Sequence, residues 1–148
     1  MPELTNTRFG TLEFSEDDVI RFTEGLIGFD QCQRFVIIST SANETFRWLQ
    51  SLDEPSLAFL VVDPAQYVEG YAVEIGDEEA AHLGIGTDTA TLLLTTASIP
   101  NSKPEEMTIN LAGPIVINAE KRVGRQLVVD DESIPTRHPV FGSSAKAA

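Results

Sequence analysis

Residues 46–64 read FRWLQSLDEPSLAFLVVDP, and the way this stretch breaks decides the fold. An aromatic run of strand length, Phe46 to Gln50, leads into an acidic turn that ends in Pro55. A second apolar run, Leu57 to Val62, then stops at Asp63-Pro64. EGLIGF at 24–29 and INLAGPIVIN at 109–118 follow the same scheme, with apolar stretches alternating with Gly, Pro and Asn. That composition predicts a closed, turn-rich β framework. None of the three segments pairs a nucleophile with a base.

Working outward, Arg34–Ile38, Phe46–Gln50 and Leu57–Val62 are predicted as three successive strands of an antiparallel meander. On the N-terminal side, Phe9 to Phe14 reads as a first strand, with Gly10 at a bulge or close approach. Ser15 to Asp18 reads as a turn into a short β-favouring run, Val19 to Phe22. In EGLIGF the apolar groups between two glycines suit a tight reversal with its side chains tucked inward. Tyr71 to Ile75 alternates strictly and is predicted as a half-exposed strand. Asp77 to Leu83 is the one helical stretch, with acids in its first turn and Gly84 placed to stop it. Thr89 to Ile99 reads as a long buried strand, and Pro100 to Pro104 as a surface loop. Gly113-Pro114 should impose a bend or bulge between Met107–Leu111 and Ile115–Ile117. Asn118–Val123 turning into Gly124–Val129 is predicted as a hairpin, and the tail after Asp130 is expected to fray. About nine short strands and one helix fit a β-barrel or closely packed sandwich.

A chain of 148 residues fits one domain and buries roughly two thirds of the surface exposed when unfolded. Ten Lys and Arg against 23 Asp and Glu give a net charge of −13, which repels phosphate backbones and anionic lipid heads. Direct nucleic-acid binding and membrane binding are therefore not expected. The imbalance is uneven: no Lys or Arg occurs between Arg47 and Lys103, where Asp53, Glu54, Asp63, Glu69, Glu74, Asp77, Glu78, Glu79 and Asp88 all fall. A solubilising surface explains such a stretch, and a basic partner is the sharper reading. A lone Cys32 and the lack of a charged, then apolar, leader pattern indicate the cytoplasm.

The search for chemistry returns little. Glu78 and His82 lie four apart on the helical stretch and would need a further ligand to hold a metal. No Ser occupies a G-x-S-x-G elbow. Gly84-Ile85-Gly86 is a fragment of a dinucleotide fingerprint beside acids that repel pyrophosphate. Asp17-Asp18 and Asp130-Asp131-Glu132 lack the spacing of a calcium loop. No catalytic residue, metal or cofactor is expected. Trp48 shares a face with Phe46 and Gln50, which favours core burial and leaves interface use open.

Thr7-Arg8-Phe9-Gly10, Phe22 with Glu24 to Phe29, Trp48 to Ser51 with Asp63-Pro64, and Asn110-Leu111 through Pro114 to Asn118 together resemble the FliW family over about residues 5–130. The resemblance implies a mainly β, single-domain antiparallel β-barrel-like fold with one short helix. The barrel domain would span 1–130, with 131–148 as a partly flexible C-terminal segment. It implies a non-enzymatic cytoplasmic regulator of flagellum biogenesis, and since no long sticky edge or heptad demands a dimer, a monomer is expected. Such a protein binds flagellin and, when free of it, binds CsrA, relieving repression of flagellin messenger translation. Alternatives are an acidic barrel module for another basic protein and an uncharacterised enzyme. The candidate partner-binding residues are Asp77, Glu78, Glu79, Trp48, Gln50, Asn110 and Asn118. The base-free stretch from Trp48 to Ser102, above all the three acids, is expected to face CsrA. After Asp130, where the family usually has a Tyr, the chain departs from the pattern and runs Glu132 to Pro139.

Overall fold

The predicted meander forms the wall of a barrel. In the computed structural model, described over residues 2–7, 9–39, 46–68, 70–71, 73, 75–86, 89–99, 103–129, 133–134 and 136–139, the described residues form eleven strands and one α-helix. Strands β4 (Arg34–Ile38), β5 (Arg47–Ser51) and β6 (Ala58–Val62) pair antiparallel in sequence order. β7 (Thr91–Ser98) pairs β6 on one side and β9 (Ile115–Asn118) on the other. β9 forms a hairpin with β10 (Val123–Gln126), and β3 (Ile20–Arg21) joins β10 to β4, which closes a ring of seven strands. The β3–β10 contact is parallel and rests on one register pair, Arg21 with Val123. It is reinforced by Arg21 N–H donating to Arg122 O at 2.9 Å and by Arg122 Nη2 donating to Asp18 O at 2.7 Å.

Strand alternation sends every second side chain into the ring. Phe35, Leu49, Val61, Leu94, Ile115 and Ile117 meet Ile20, Phe22 and Leu26 in the interior cluster. Full burial of a side chain of this size contributes about 2 kcal/mol, so this interior is the dominant stabilising element. Unlike an open sheet, the ring is also covered outside. Val36 packs under Phe14 and Val19, Val116 under Leu83 and Leu127, and Val62 against Met107, Ile109 and Leu111. Burial on both faces explains the near-continuous apolar runs of β6 and β9. Tyr71 donates from its hydroxyl to Leu111 O at 2.6 Å in the third of these clusters.

Several expectations need correction. The run 9–14 is not one strand: β1 (Glu3–Thr7) and β2 (Gly10–Glu13) form a separate hairpin. Thr7 closes its turn by donating to Gly10 O and accepting from Phe9 N–H. Tyr71, Val73 and Ile75 carry no strand assignment. Tyr71 packs on the Met107 cluster, whereas Val73 and Ile75 pack beside Leu83. Their alternation reflects one-sided burial without a ladder.

The expected Gly113-Pro114 irregularity is present. β8 (Thr108–Ile109) pairs Ile109 with Ala97, whereas β9 pairs Ile115 with Leu94. Chain is thus looped out between them, with Asn110 Oδ1 accepting from the N–H groups of Ala112 and Gly113. In the C-terminal segment, β11 (His138–Pro139) pairs with β8, and residues 140–148 lie outside the described ones. No helix among the described residues is long and apolar enough to cross a membrane.

Candidate partner-binding surfaces

The helix α1 (Asp77–Leu83) has the predicted bounds. Gly84 ends it in the left-handed region at φ 70° and bonds back to Ala80 O and Ala81 O, the geometry for which glycine is favoured at a helix C-terminus. Leu83 anchors the inner side against Val116 and Leu127, which leaves Asp77 and Glu78 exposed and Glu79 half-buried. The three acids therefore do share one helical turn at the surface.

In space this region is not free of bases. Arg125 of β10 approaches Glu79 Oε2 through Nη1 at 2.8 Å and Glu24 Oε2 through Nη2 at 2.7 Å. The Glu79 contact is a charge contact without aligned hydrogen-bond geometry, since Oε2 has no hydrogen-bond partner. Lys121 lies over the helix end: a Cβ on Gly84 would come within 2.8 Å of its Nζ, a position where a cation complements the helix dipole. Neither base has a local sequence signal, because the strand pairing of β9 and β10 brings both from beyond residue 120.

Other acids of the stretch are committed to turns. Asp53 Oδ2 accepts from the N–H groups of Gln33 and Arg34 at 2.7 and 2.9 Å. Asp63 Oδ1 accepts from Ala65 N–H, and Glu54 Oε1 from the Ser56 hydroxyl. Glu69, Glu74 and Asp88 lie outside the described residues.

The remaining candidates divide. Gln50 and Asn118 are both 0% exposed and work inside the protein. Gln50 Nε2 donates to the carbonyls of Ser51, Pro55 and Leu57 and pins the 51–57 turn. Asn118 Nδ2 donates to Leu83 O and Gly84 O while its Oδ1 accepts from Glu120 and Lys121 N–H, which ties α1 to the β9–β10 turn. Asn110 holds the Gly113 loop. Gln50 and Asn118 therefore position surfaces from inside, whereas Asn110 is half-buried. Trp48, expected in the core, is half-buried on the outer side of β5, with Phe9 packed edge-on at 5.7 Å. Its pairing with Ile38 and Leu60 puts it on the face opposite Leu49.

A second surface lies at the barrel end formed by the 22–33 and 51–57 loops. The tucked-in expectation for EGLIGF holds for Leu26 and fails for its neighbours: Ile27 is 58% and Phe29 40% exposed. The loop is rigidly specified. Gly25 sits at φ +67°, and a Cβ there would lie 2.4 Å from Asp30 Cα. Ile27 N–H donates to Gln126 Oε1 at 2.9 Å, and Gln126 Nε2 donates to Gly113 O at 2.9 Å. The Phe29 ring packs edge-on to Phe59 at 5.1 Å, and Phe59 lies 6.4 Å from Phe35, so an aromatic line runs from the interior to solvent. Beside Phe29 opens a hollow of about 400 Å³. Among the described residues, no group of three or more His, Cys, Asp and Glu could hold a metal; His82 Nε2 lies 3.4 Å from the Thr23 hydroxyl. The arrangement offers surfaces for recognition.

The family model described as FliW protein matches residues 3–140. A flagellar assembly factor FliW from Magnetococcus marinus is 38% identical, covering 98% of this chain and 88% of the relative. One from Caldanaerobacter subterraneus is 39% identical over 94% of this chain and 93% of its own length. A crystal structure of the flagellar assembly factor FliW superposes with a TM-score of 0.85 at 28% identity, covering 95% of this chain and 97% of that one.

Proposed function

The chain belongs to the FliW family of flagellar assembly factors, and from that premise we propose that it is a cytoplasmic, non-enzymatic partner switch. Bound to flagellin, it is occupied; released when flagellin is exported, it captures CsrA and lifts CsrA repression of the flagellin messenger. The observation that carries this reading is the match of almost the whole chain to flagellar assembly factors. The charge of −13 supplies a physical route, since docking such a body on an RNA-binding protein sets a negative field against the surface meant for phosphates. Asp77 and Glu78, exposed on α1, are the acids proposed to face CsrA, with Glu79 behind them.

Titrating the protein against flagellin and CsrA of its own organism, with labelled flagellin messenger present, tests the switch. CsrA capture should release the messenger, and added flagellin should restore the CsrA–messenger complex. Heat or mobility changes with neither protein would end this reading. Neutralising Asp77, Glu78 and Glu79 together should weaken CsrA capture more at low salt than at moderate salt. Unchanged capture and release in both would remove the helix from the interface.

A further inference from the structure

The apolar barrel end is the feature that the acidic-surface argument leaves unused. Ile27 and Phe29 project from a loop whose backbone is fixed by Gly25 and by the Gln126 clamp. Val128, 72% exposed, follows Gln126 in a segment whose Leu127 and Val129 N–H groups bond to Pro114 O and Ala112 O. The same clamp thus brings Ile27 and the 126–129 segment to one end of the barrel. Next to Phe29, the hollow is lined by Cys32 and Leu57, by the polar Gln31 and Ser56, and by the carboxylates of Asp30 and Glu54. Large apolar groups held outward on a preorganised loop are a recognition feature, because ordering costs have been met before a partner arrives.

Charge selects the occupant. A second copy of this chain would bring another net charge of −13 against Asp30 and Glu54, and an anionic membrane would meet the same repulsion. The complementary ligand is an apolar side chain flanked by Lys or Arg. In the closed ring β4, β5 and β6 each have a neighbouring strand on both sides, so side chains carry the recognition there. We propose that this end of the barrel docks a cationic segment of a partner protein, its apolar anchor seated beside Phe29 and Ile27 and its basic groups facing Asp30 and Glu54. The inference deepens the partner-switch reading and rests on it for the identity of the partner.

The test compares wild type with I27S, F29A and D30N/E54Q by calorimetry against flagellin and against CsrA, with thermal unfolding as the folding check. I27S and F29A should each weaken binding of at least one partner about tenfold at low and moderate salt alike, as loss of an apolar hot spot does. D30N/E54Q should weaken the same partner several-fold at low salt only. Wild-type binding that all three variants retain overturns the inference and leaves the partner switch standing. Should wild type bind neither protein, the switch falls. A synthetic peptide with one Trp between pairs of lysines then decides: binding that I27S and F29A both weaken supports the inference, whereas no binding or equal binding overturns it. Self-association of wild type that I27S abolishes, seen by light scattering, would assign the patch to a second copy and also overturn it.

Discussion

The loop at 24–29 and the helix at 77–83 share one guanidinium, that of Arg125, yet they are held by opposite means. The loop is fixed by backbone sterics: at Gly25 the obstacle is the backbone of Phe29 and Asp30, which has nowhere to go. The helix is anchored inside by Leu83 and Asn118, but its outer side is held by side chains that can yield, with Lys121 over Gly84 and the Arg125 ion pair on Glu79. A surface that presents apolar groups gains from rigidity, since short-range contacts tolerate little displacement. A surface that presents charge acts over a Debye length of about 8 Å and tolerates a softer mount.

Two glycine substitutions test that contrast most directly. Gly25→Ala should cost about 3 kcal/mol or more, combining left-handed strain with a backbone clash, and urea unfolding would measure it. A loss below about 1 kcal/mol would show that the loop can shift and that its rigidity is overstated. Gln50→Ala comes next: it strips a donor from three carbonyls of the turn that borders the apolar end and should cost about 2–3 kcal/mol. Gly84→Ala has the same backbone sign as Gly25→Ala but meets only the flexible end of Lys121, so about 1 kcal/mol is expected. Equal losses at Gly25 and Gly84 would erase the distinction. Arg125→Met, which cuts both ion pairs, should cost about 0.5–1 kcal/mol at low salt and less at high salt; a large, salt-independent loss would mean that the guanidinium works by packing.

The smallest effect is expected away from both regions. Burial raises the pKa of the Tyr67 and Tyr71 phenols above their ordinary 10.0, so the stability they contribute is intact below that pH. It declines as pH rises through the raised values, because the unfolded chain ionises first. Alkaline unfolding of Y71F compared with wild type would check it.

Much of this was legible in residues that obey a local rule. Gly84 stops the helix where a glycine should, Arg34–Ile38 has the predicted bounds, and Gly113-Pro114 interrupts pairing because proline has no N–H to give. Failures came where tertiary packing overrode periodicity. Tyr71 to Ile75 alternates like a strand, yet alternation records only which side is buried. Core burial is favoured for Trp48 because it shares a face with Phe46 and Gln50, with interface use left open, and its register with Ile38 and Leu60 assigns it to the outer face. For the candidate surface, a negative face at Asp77 and Glu78 was legible in the acidic stretch itself, whereas the partners of Glu79 could not be read from a stretch without bases. Gln50 and Asn118 read as partner-binding candidates, and the structure places both among buried amides that serve neighbouring backbone; nothing in a sequence separates that duty from contact with another molecule.

The parallel seam has a consequence for how the molecule comes into being. Because Arg21 meets Val123, a chain that ends before β10 leaves the ring open, with β3 and β9 each short of one neighbour. Closure spans about a hundred residues and must wait for β10 to leave the ribosome. Sealing of the cylinder is therefore deferred until both ends of this span exist.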